Sequence, residues 1–137
     1  MRKLLIVLLC LPLFANASPL RTVEQFVSLS DATKVKGASQ ADIDAVAALL
    51  TDDMRYQHPN YGADLSKADF IAGLVNYMGM ADSLTSNISN KIVGDNAITI
   101  AFVSTTVMDG KQEVDGKPLM RLFEFKDGKI SLIREYW

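Results

Sequence analysis

The hydrophobic residues of this chain change their spacing once, near Leu84. Before that point they recur three and four positions apart, which is typical of one face of a helix. After it they alternate with polar residues in steps of two, which is typical of strands. A chain that places helices first and a run of strands afterwards folds as α+β. The sequence therefore predicts three amino-terminal helices packed on one face of a curved antiparallel sheet.

Three segments carry the helical spacing. The first follows Thr22, with Gln25 in the capping-box position, and the third starts at Ser66, with Asp69 three residues on. Residues 34–39 form a polar connection between the first two segments. The three apolar stripes are Val23, Phe26 and Val27; Ile43, Val46, Ala47 and Leu50; and Phe70, Ile71, Leu74, Val75 and Met78.

The strand half is divided by Asp-Gly pairs at residues 109–110, 115–116 and 127–128, which are typical of turns. For the last hairpin, a two-residue turn would place Arg121 directly opposite Arg134, a like-charge pair that costs stability. A three-residue loop with Gly128 in the left-handed conformation sets Arg121 opposite Ile133 instead, with Glu135 as its diagonal neighbour. We favour this second register.

That register divides the last two strands into two faces, both of them substantially apolar. One face carries Arg121, Phe123, Phe125, Ile133, Glu135 and Trp137, and the other carries Met120, Leu122, Ile130, Leu132 and Tyr136. An antiparallel sheet in a small domain usually shows water one polar face. The second face therefore predicts a homodimer, formed through Val103, Val107, Leu122, Leu132 and Tyr136.

The amino terminus has the composition of a leader. Arg2 and Lys3 precede an uncharged apolar run, and Ala15-Asn16-Ala17 supplies small residues for cleavage. This pattern predicts a signal peptide over residues 1–17 and one domain over residues 18–137. The apolar run is shorter than the roughly 20 residues that cross a bilayer. We expect an exported protein, periplasmic or secreted, with no membrane segment after cleavage.

Charge and cysteine content exclude several classes of function. Removal of the two basic leader residues changes the formal net charge from −2 to −4, and no basic patch remains for nucleic acid. Cys10, the one cysteine, lies in the leader, so the remaining domain has neither a disulfide nor a thiolate ligand. One histidine and scattered acids do not form a metal site. We expect no metal and no cofactor.

The segment from Asp52 to Pro59 carries the one histidine of the chain, His58, directly before a proline. Imidazole has an ordinary pKa of about 6.5 and exchanges protons near neutrality. Acid-base chemistry in this chain would therefore begin at His58. The alternative is a loop histidine that binds only backbone.

In three features the chain resembles the nuclear transport factor 2-like superfamily, particularly its SnoaL-like polyketide cyclases and ketosteroid isomerases. They are the order of the elements, residues 48–53 leading into Tyr56-Gln57-His58-Pro59, and residues 122–130 near the end. The resemblance covers nearly all of residues 18–137. It implies a cone-shaped half-barrel whose concave sheet and helices enclose a pocket.

The resemblance also implies site positions. The base aspartate of a ketosteroid isomerase falls on His58, its protonated oxyanion-hole aspartate on Arg121, and its oxyanion-hole tyrosine on Phe26. The chain departs from that pattern because Phe26 donates no hydrogen bond and His58 is not a carboxylate. The resemblance therefore implies the fold and a pocket rather than steroid isomerisation.

The residues themselves suggest one site. His58 would act as a general base, Arg121 would stabilise an enolate oxygen, and Glu135 would orient the guanidinium, the parts that proton abstraction next to a carbonyl requires. Tyr56 and Tyr61 would add hydroxyl donors. The predicted ligand-binding residues are Phe26, Tyr56, Tyr61, Phe102, Phe123, Ile133, Glu135 and Trp137, with His58 and Arg121 as the catalytic pair.

Three functions stay open. The first is an exported protein whose pocket binds a small apolar or carbonyl-bearing molecule. The second is a cofactor-free isomerase or cyclase that uses His58 and Arg121. The third is an accessory protein that acts through the apolar face of its sheet. For Arg121 and Glu135, the alternative to a functional role is a structural ion pair. The first is the one that we favour.

Overall fold

The structure is a computed structural model and describes residues 17–137. The predicted leader, apart from Ala17, lies outside the described residues and stays a prediction. Within residues 17–137, no helix combines the length and the apolar character needed to span a bilayer.

Three helices precede most of the sheet, as the hydrophobic spacing predicts. They are α1 (Pro19–Thr33), α2 (Gln40–Ala47) and α3 (Lys67–Asn76). Each begins after a serine. The Ser66 hydroxyl accepts the N–H of Asp69 at 3.1 Å, which confirms the predicted start of α3. The polar connection at residues 34–39 is also confirmed.

Helix α1 begins before the predicted capping position at Thr22. The Ser18 side chain accepts the N–H of Arg21 at 3.3 Å, and Pro19 occupies the first turn, where its missing N–H costs nothing. Thr22 instead lies inside the helix, and its hydroxyl donates to the Ser18 carbonyl at 3.3 Å. The prediction followed the capping-box spacing and overlooked the Ser-Pro pair just upstream.

The sheet has seven strands in the order β2-β1-β7-β6-β4-β3, and β5 pairs with β4. A short 3-10 turn at Pro59–Tyr61 follows β1. The strands are β1 (Leu50–His58), β2 (Ala63–Ser66), β3 (Ser83–Val93), β4 (Ala97–Met108), β5 (Lys111–Val114), β6 (Leu119–Lys126) and β7 (Lys129–Tyr136).

The predicted α+β class and half-barrel are confirmed, but the sheet is mixed rather than antiparallel. Strand β1 pairs with β7 in parallel, with Tyr56 opposite Ile133. The antiparallel prediction rested on short turns between successive strands, and such turns force antiparallel pairing. Most of the chain separates β1 from β7, so no short turn fixes their relative direction.

The predicted register of the last hairpin is wrong. Asp127 and Gly128 have φ angles of 52° and 77°, which form a two-residue turn of type I′. A bulge at Ser131 then shifts the pairing by one residue, so that Arg121 lies directly opposite Glu135. The bulge avoids the Arg121–Arg134 pair without the longer loop. It also turns Ile130 to the inner face, where it is fully buried opposite Phe125.

The core lies between the helices and the inner, concave face of the sheet. Phe26 of α1 contacts Phe123 of β6 edge to face, with ring centres 5.4 Å apart, and Phe70 of α3 at 6.3 Å. Fully buried side chains of the sheet complete this layer: Leu50, Ile100, Phe123, Ile130 and Ile133.

Candidate functional site

An ion pair between Arg121 and Glu135 lies on the inner face of the sheet. The two residues oppose each other on β6 and β7, and Arg121 Nε is 2.6 Å from Glu135 Oε1. Their side chains are only 14% and 8% exposed. A buried pair of this kind holds both side chains in place, because neither charge can be left without the other at low cost.

The second carboxylate oxygen of Glu135 is also occupied. Oε2 accepts hydrogen bonds from the Tyr56 hydroxyl at 3.0 Å and from the Trp137 indole N–H at 2.9 Å. Burial by itself would raise the pKa of Glu135, but the Arg121 charge and the hydrogen bonds from Trp137 and Tyr56 outweigh it and hold the pKa below its ordinary value. Glu135 is therefore an anion at neutral pH.

Tyr56 remains a hydrogen-bond donor at every physiological pH. Burial raises the pKa of its hydroxyl, and the negative charge of Glu135 raises it further. Its ring packs at 5.2 Å from Phe70 of α3, which fixes the direction of the hydroxyl. The tyrosine thus positions the Glu135 carboxylate and does not act as a base.

The Arg121 guanidinium lies between two aromatic rings. Its central carbon is 4.7 Å from the ring centre of Phe102 and 5.7 Å from that of Phe26. Aromatic faces attract a cation and exclude water from it. The cation is therefore held by one carboxylate and two rings at a fixed position on the inner face.

Two adjacent cavities meet at this ion pair. The helix-side cavity, of about 410 Å³, is walled by Phe26, Tyr56, Phe70 and Leu74. The sheet-side cavity, of about 390 Å³, is walled by Phe102 and by more polar residues of β3 and β4. Their shared wall consists of Ser30, Lys34, Tyr77, Arg121, Glu135 and Trp137. Each cavity has the volume of a small-molecule site.

Lys34 borders both cavities, although it is not among the site residues predicted from the sequence. Lys34 caps the end of α1, and its pKa is lowered, first by burial and then by the Arg121 charge, against the opposing effects of Asp31 and Glu135. The sequence places Lys34 in the polar connection at residues 34–39, which gives no indication of its burial. Ser30, one turn earlier, and Thr33, directly before it, are both buried, but no spacing in the sequence records this.

Six of the predicted site residues border the cavities. Arg121, Glu135 and Trp137 border both of them. Phe26 and Tyr56 border the helix-side cavity alone, and Phe102 borders the sheet-side cavity alone. Residues far apart in the sequence are thus brought together around Arg121, and their predicted role in ligand binding stays a prediction.

The other predicted residues lie elsewhere. Phe123 and Ile133 are fully buried in the core and do not border either cavity. His58 is 4% exposed and packs edge-on against Tyr61 and Trp137, with ring centres 4.4 and 4.5 Å away. Neither ring nitrogen of His58 has a hydrogen-bond partner within residues 17–137. Tyr61 is largely exposed.

Trp137 lies between His58 and the cavities, since this residue borders both cavities and its ring packs against the imidazole. The predicted role of His58 as a general base requires this ring to move. Within the described part of the chain, no group of three or more His, Cys, Asp or Glu side chains is arranged to hold a metal ion. The wall shared by the two cavities offers two cations and one carboxylate, a set in which the cations suit a ligand oxygen. Asp69 also borders the helix-side cavity, and Asp31 and Asp115 border the sheet-side cavity.

A family model described as a SnoaL-like domain matches residues 35–133. No significant match was found among curated proteins. Several solved structures share the fold. An LEH-like epoxide hydrolase of M. tuberculosis superimposes with a TM-score of 0.66 at 20% identity, over 85% of this chain and 79% of that one.

Two further structures illustrate the same fold. A protein of Catenulispora acidiphila with a ketosteroid isomerase-like fold, solved with trimethylamine, has a TM-score of 0.66 at 15% identity, over 88% of this chain and 87% of the other. A candidate polyketide cyclase of Xanthomonas campestris has a TM-score of 0.60 at 18% identity, over 86% and 88%. At these identities the similarity shows the fold alone.

Proposed function

Because the chain belongs to the SnoaL-like domain family, we propose that it binds a small, largely apolar molecule. The carbonyl oxygen of this molecule accepts a hydrogen bond from Arg121. The family's fold occurs in proteins named as an LEH-like epoxide hydrolase and as a candidate polyketide cyclase. The proposal rests on the site rather than on those names.

The observation that carries the proposal is the position of the Arg121 guanidinium at the junction of two cavities. Phe26 and Phe102 shield the cation from water, and Glu135 fixes its orientation. A carbonyl oxygen is the simplest ligand group that such a preorganised donor can bind without a full negative charge. The apolar walls of the helix-side cavity accept the rest of the molecule.

Binding fits the geometry better than proton transfer by His58. A general base must come within hydrogen-bond distance of the proton that it removes. His58 lies behind Trp137 and does not border either cavity. A cofactor-free isomerase or cyclase would therefore need Trp137 to swing away from both Glu135 and the imidazole before each turnover.

The test compares two ligands of similar shape, acetophenone and ethylbenzene, by the fluorescence of Trp137, the one tryptophan of the chain. The double variant Arg121→Met with Glu135→Gln removes the donor without leaving a buried charge. We expect it to weaken acetophenone binding about tenfold or more and ethylbenzene binding little, because hydrogen bonds to charged groups contribute roughly 1.5–3 kcal/mol.

The matched control is Arg55→Met. Arg55 pairs with Asp64 on the exposed edge of the sheet and is remote from the cavities. It should leave both affinities unchanged. Equal losses for the ketone and the hydrocarbon in the double variant would contradict a carbonyl-binding role for Arg121.

We also propose a homodimer through the outer face of the sheet. Met120 and Tyr136 oppose each other on that face and are 49% and 40% exposed. Arg134 and Glu124 lie on the same face, where a two-fold axis can bring an opposite charge from the second copy to each. Val103, Val107, Leu122 and Leu132 are half-buried there and remain available to a partner.

Aspartate at both Leu122 and Leu132 should abolish this dimer. Apolar area buried in an interface contributes about 25 cal/mol per Å² before the costs of association, and two carboxylates in the patch would remove that gain. Sedimentation at micromolar concentration should show dimers for the wild type and monomers for the variant. A wild type that sediments as a monomer at high micromolar concentration would contradict the interface.

We also propose that residues 1–17 are a leader that is removed on export, so that the protein binds its ligand outside the cytoplasm. Cleavage after Ala17 leaves Ser18 at the amino terminus, next to the first turn of α1. Intact mass of protein taken from the exported fraction tests this, and a mass that retains the leader would contradict it.

A further inference from the structure

Lys34 is placed unlike the other lysines in the described part of the chain. It is half-buried at the end of α1 and borders both cavities. Within residues 17–137 its side chain makes no hydrogen bond and no ion pair closer than 4 Å. Its amine is therefore available to whatever occupies the cavities.

Four other lysines are paired with a carboxylate. The contacts are Lys36 with Asp82, Lys67 with Asp52, Lys91 with Glu24 and Lys126 with Asp53. An ion pair keeps an amine protonated, and a protonated amine has no lone pair to attack carbon. Lys111, Lys117 and Lys129 are exposed and fully hydrated. Lys34 alone combines burial with the absence of a carboxylate partner among the lysines described.

We propose that the amine of Lys34 forms an imine with the carbonyl group of an aldehyde or ketone held beside Arg121. The inference rests on the proposed function, because it needs a carbonyl compound in the cavities. It goes beyond that function by making the binding covalent and reversible, and by assigning the reacting atom to α1 rather than to His58.

The chemistry is balanced without an added reagent. The nitrogen lone pair attacks the carbonyl carbon, the C=O electron pair moves to oxygen, and a proton passes from nitrogen to that oxygen through solvent. The resulting carbinolamine takes up a proton on its hydroxyl and loses water, which leaves a protonated C=N bond. Release of that N–H proton to solvent gives the neutral imine. Arg121 borders the same two cavities as Lys34, and its charge would stabilise the oxygen while that oxygen carries negative charge.

The surroundings of Lys34 favour its neutral form. Burial lowers the pKa of the amine, and the nearby Arg121 charge lowers it further, although Asp31 and Glu135 act in the opposite direction. Desolvation and a second cation are the two devices by which proteins turn a lysine into a nucleophile. Asp31 and Glu135 oppose this only in part, because burial is the largest of the effects on Lys34 and the Arg121 charge is the next.

The experiment uses benzaldehyde and sodium cyanoborohydride, which converts an imine into a stable benzylamine. After limited reaction at neutral pH, peptide mapping should find the benzyl group mainly on Lys34 rather than on Lys36, because the pKa of Lys34 is lowered by burial and that of Lys36 is raised by its hydrogen bond to Asp82. Lys34→Met should abolish this selective labelling. Lys36→Met, two residues away on the same connection, should leave it unchanged.

A parallel titration of Trp137 fluorescence with acetophenone separates the two proposals. Saturable binding together with preferential labelling of Lys34 supports both. Saturable binding with labelling spread evenly over Lys36 and the exposed lysines overturns the imine and leaves the binding function standing. Absence of both binding and selective labelling overturns both. Circular dichroism of Lys34→Met confirms that any loss of labelling occurs in a folded protein.

Discussion

Arg121→Met is expected to lower the free energy of unfolding by about 3–5 kcal/mol at neutral pH, because it leaves the Glu135 carboxylate buried without its cation. Glu135 is 6% exposed and keeps only the hydrogen bonds from Tyr56 and Trp137. Adding Glu135→Gln should restore most of the lost free energy of unfolding, since a neutral amide in that place leaves no buried charge. Urea titration of the single and double variants measures both values.

The cost of Arg121→Met should also depend on pH. In the wild type the folded pKa of Glu135 lies below its ordinary value of 4.5. The carboxylate therefore adds stability above pH 4.5, and that stability is lost as the pH falls through the lowered pKa. Without Arg121 we expect burial to dominate and to raise the folded pKa above 4.5. The variant then loses stability as the pH rises through that raised value.

The gap in stability between the wild type and Arg121→Met should therefore narrow on acidification. Arg55→Met is the matched control, because Arg55 pairs with Asp64 in solvent and exposed pairs contribute little. Its effect on stability should be small at every pH. A gap between the wild type and Arg121→Met that stays constant between neutral and acid pH would show that Glu135 does not carry the effect.

Local signals in the sequence predicted the parts of the fold that depend on neighbouring residues. The Ser66 cap and the two-residue periodicity after Leu84 involve contacts within a few positions, and the structure confirms both. The assignment of Arg121 and Glu135 to one face was also correct. The predicted diagonal relation between them was wrong. The bulge at Ser131 changes the pairing while it keeps these two side chains on the same face, so that they lie directly opposite each other.

Bulges and parallel pairing cannot be predicted from local sequence signals, for a physical reason. Turn residues such as Asp127 and Gly128 report the conformation of the turn, but the register beyond it is decided by how the whole face packs. Ile130 turns inward because the bulge lets it join the core. Likewise, the parallel pairing of β1 with β7 depends on the packing of segments far apart in the chain.

Most of the predicted residues that border the cavities lie on strands, where alternation assigns each side chain to a face. Arg121, Glu135 and Trp137 follow from the alternation of β6 and β7. Lys34 was missed because its position depends on where the end of α1 meets the sheet, which no spacing in the sequence records. His58 shares the parity of Tyr56, yet it lies at the end of β1, past the cavities and behind Trp137.

Phe26→Ala is expected to destabilise the protein by about 3–5 kcal/mol, the usual cost of emptying a buried phenylalanine site. The ring is 1% exposed and packs against Phe123, Phe70 and the Arg121 guanidinium at once. Its loss would leave a void that joins the helix-side cavity. Thermal and urea unfolding should both show the effect.

Two further variants separate packing from the effect on the ligand. Phe70→Ala removes a half-buried ring of the same aromatic cluster and should cost less stability than Phe26→Ala.

Phe26→Leu keeps most of the side-chain volume and should cost about 1 kcal/mol of stability. It still removes the aromatic face beside the guanidinium, which admits water to Arg121 and weakens its hydrogen bond to a ketone. A Phe26→Leu variant that loses stability as severely as Phe26→Ala, or that binds acetophenone as tightly as the wild type, would contradict this role for the ring. In that case Phe102, on the other side of the cation, would be the ring that keeps water away from Arg121.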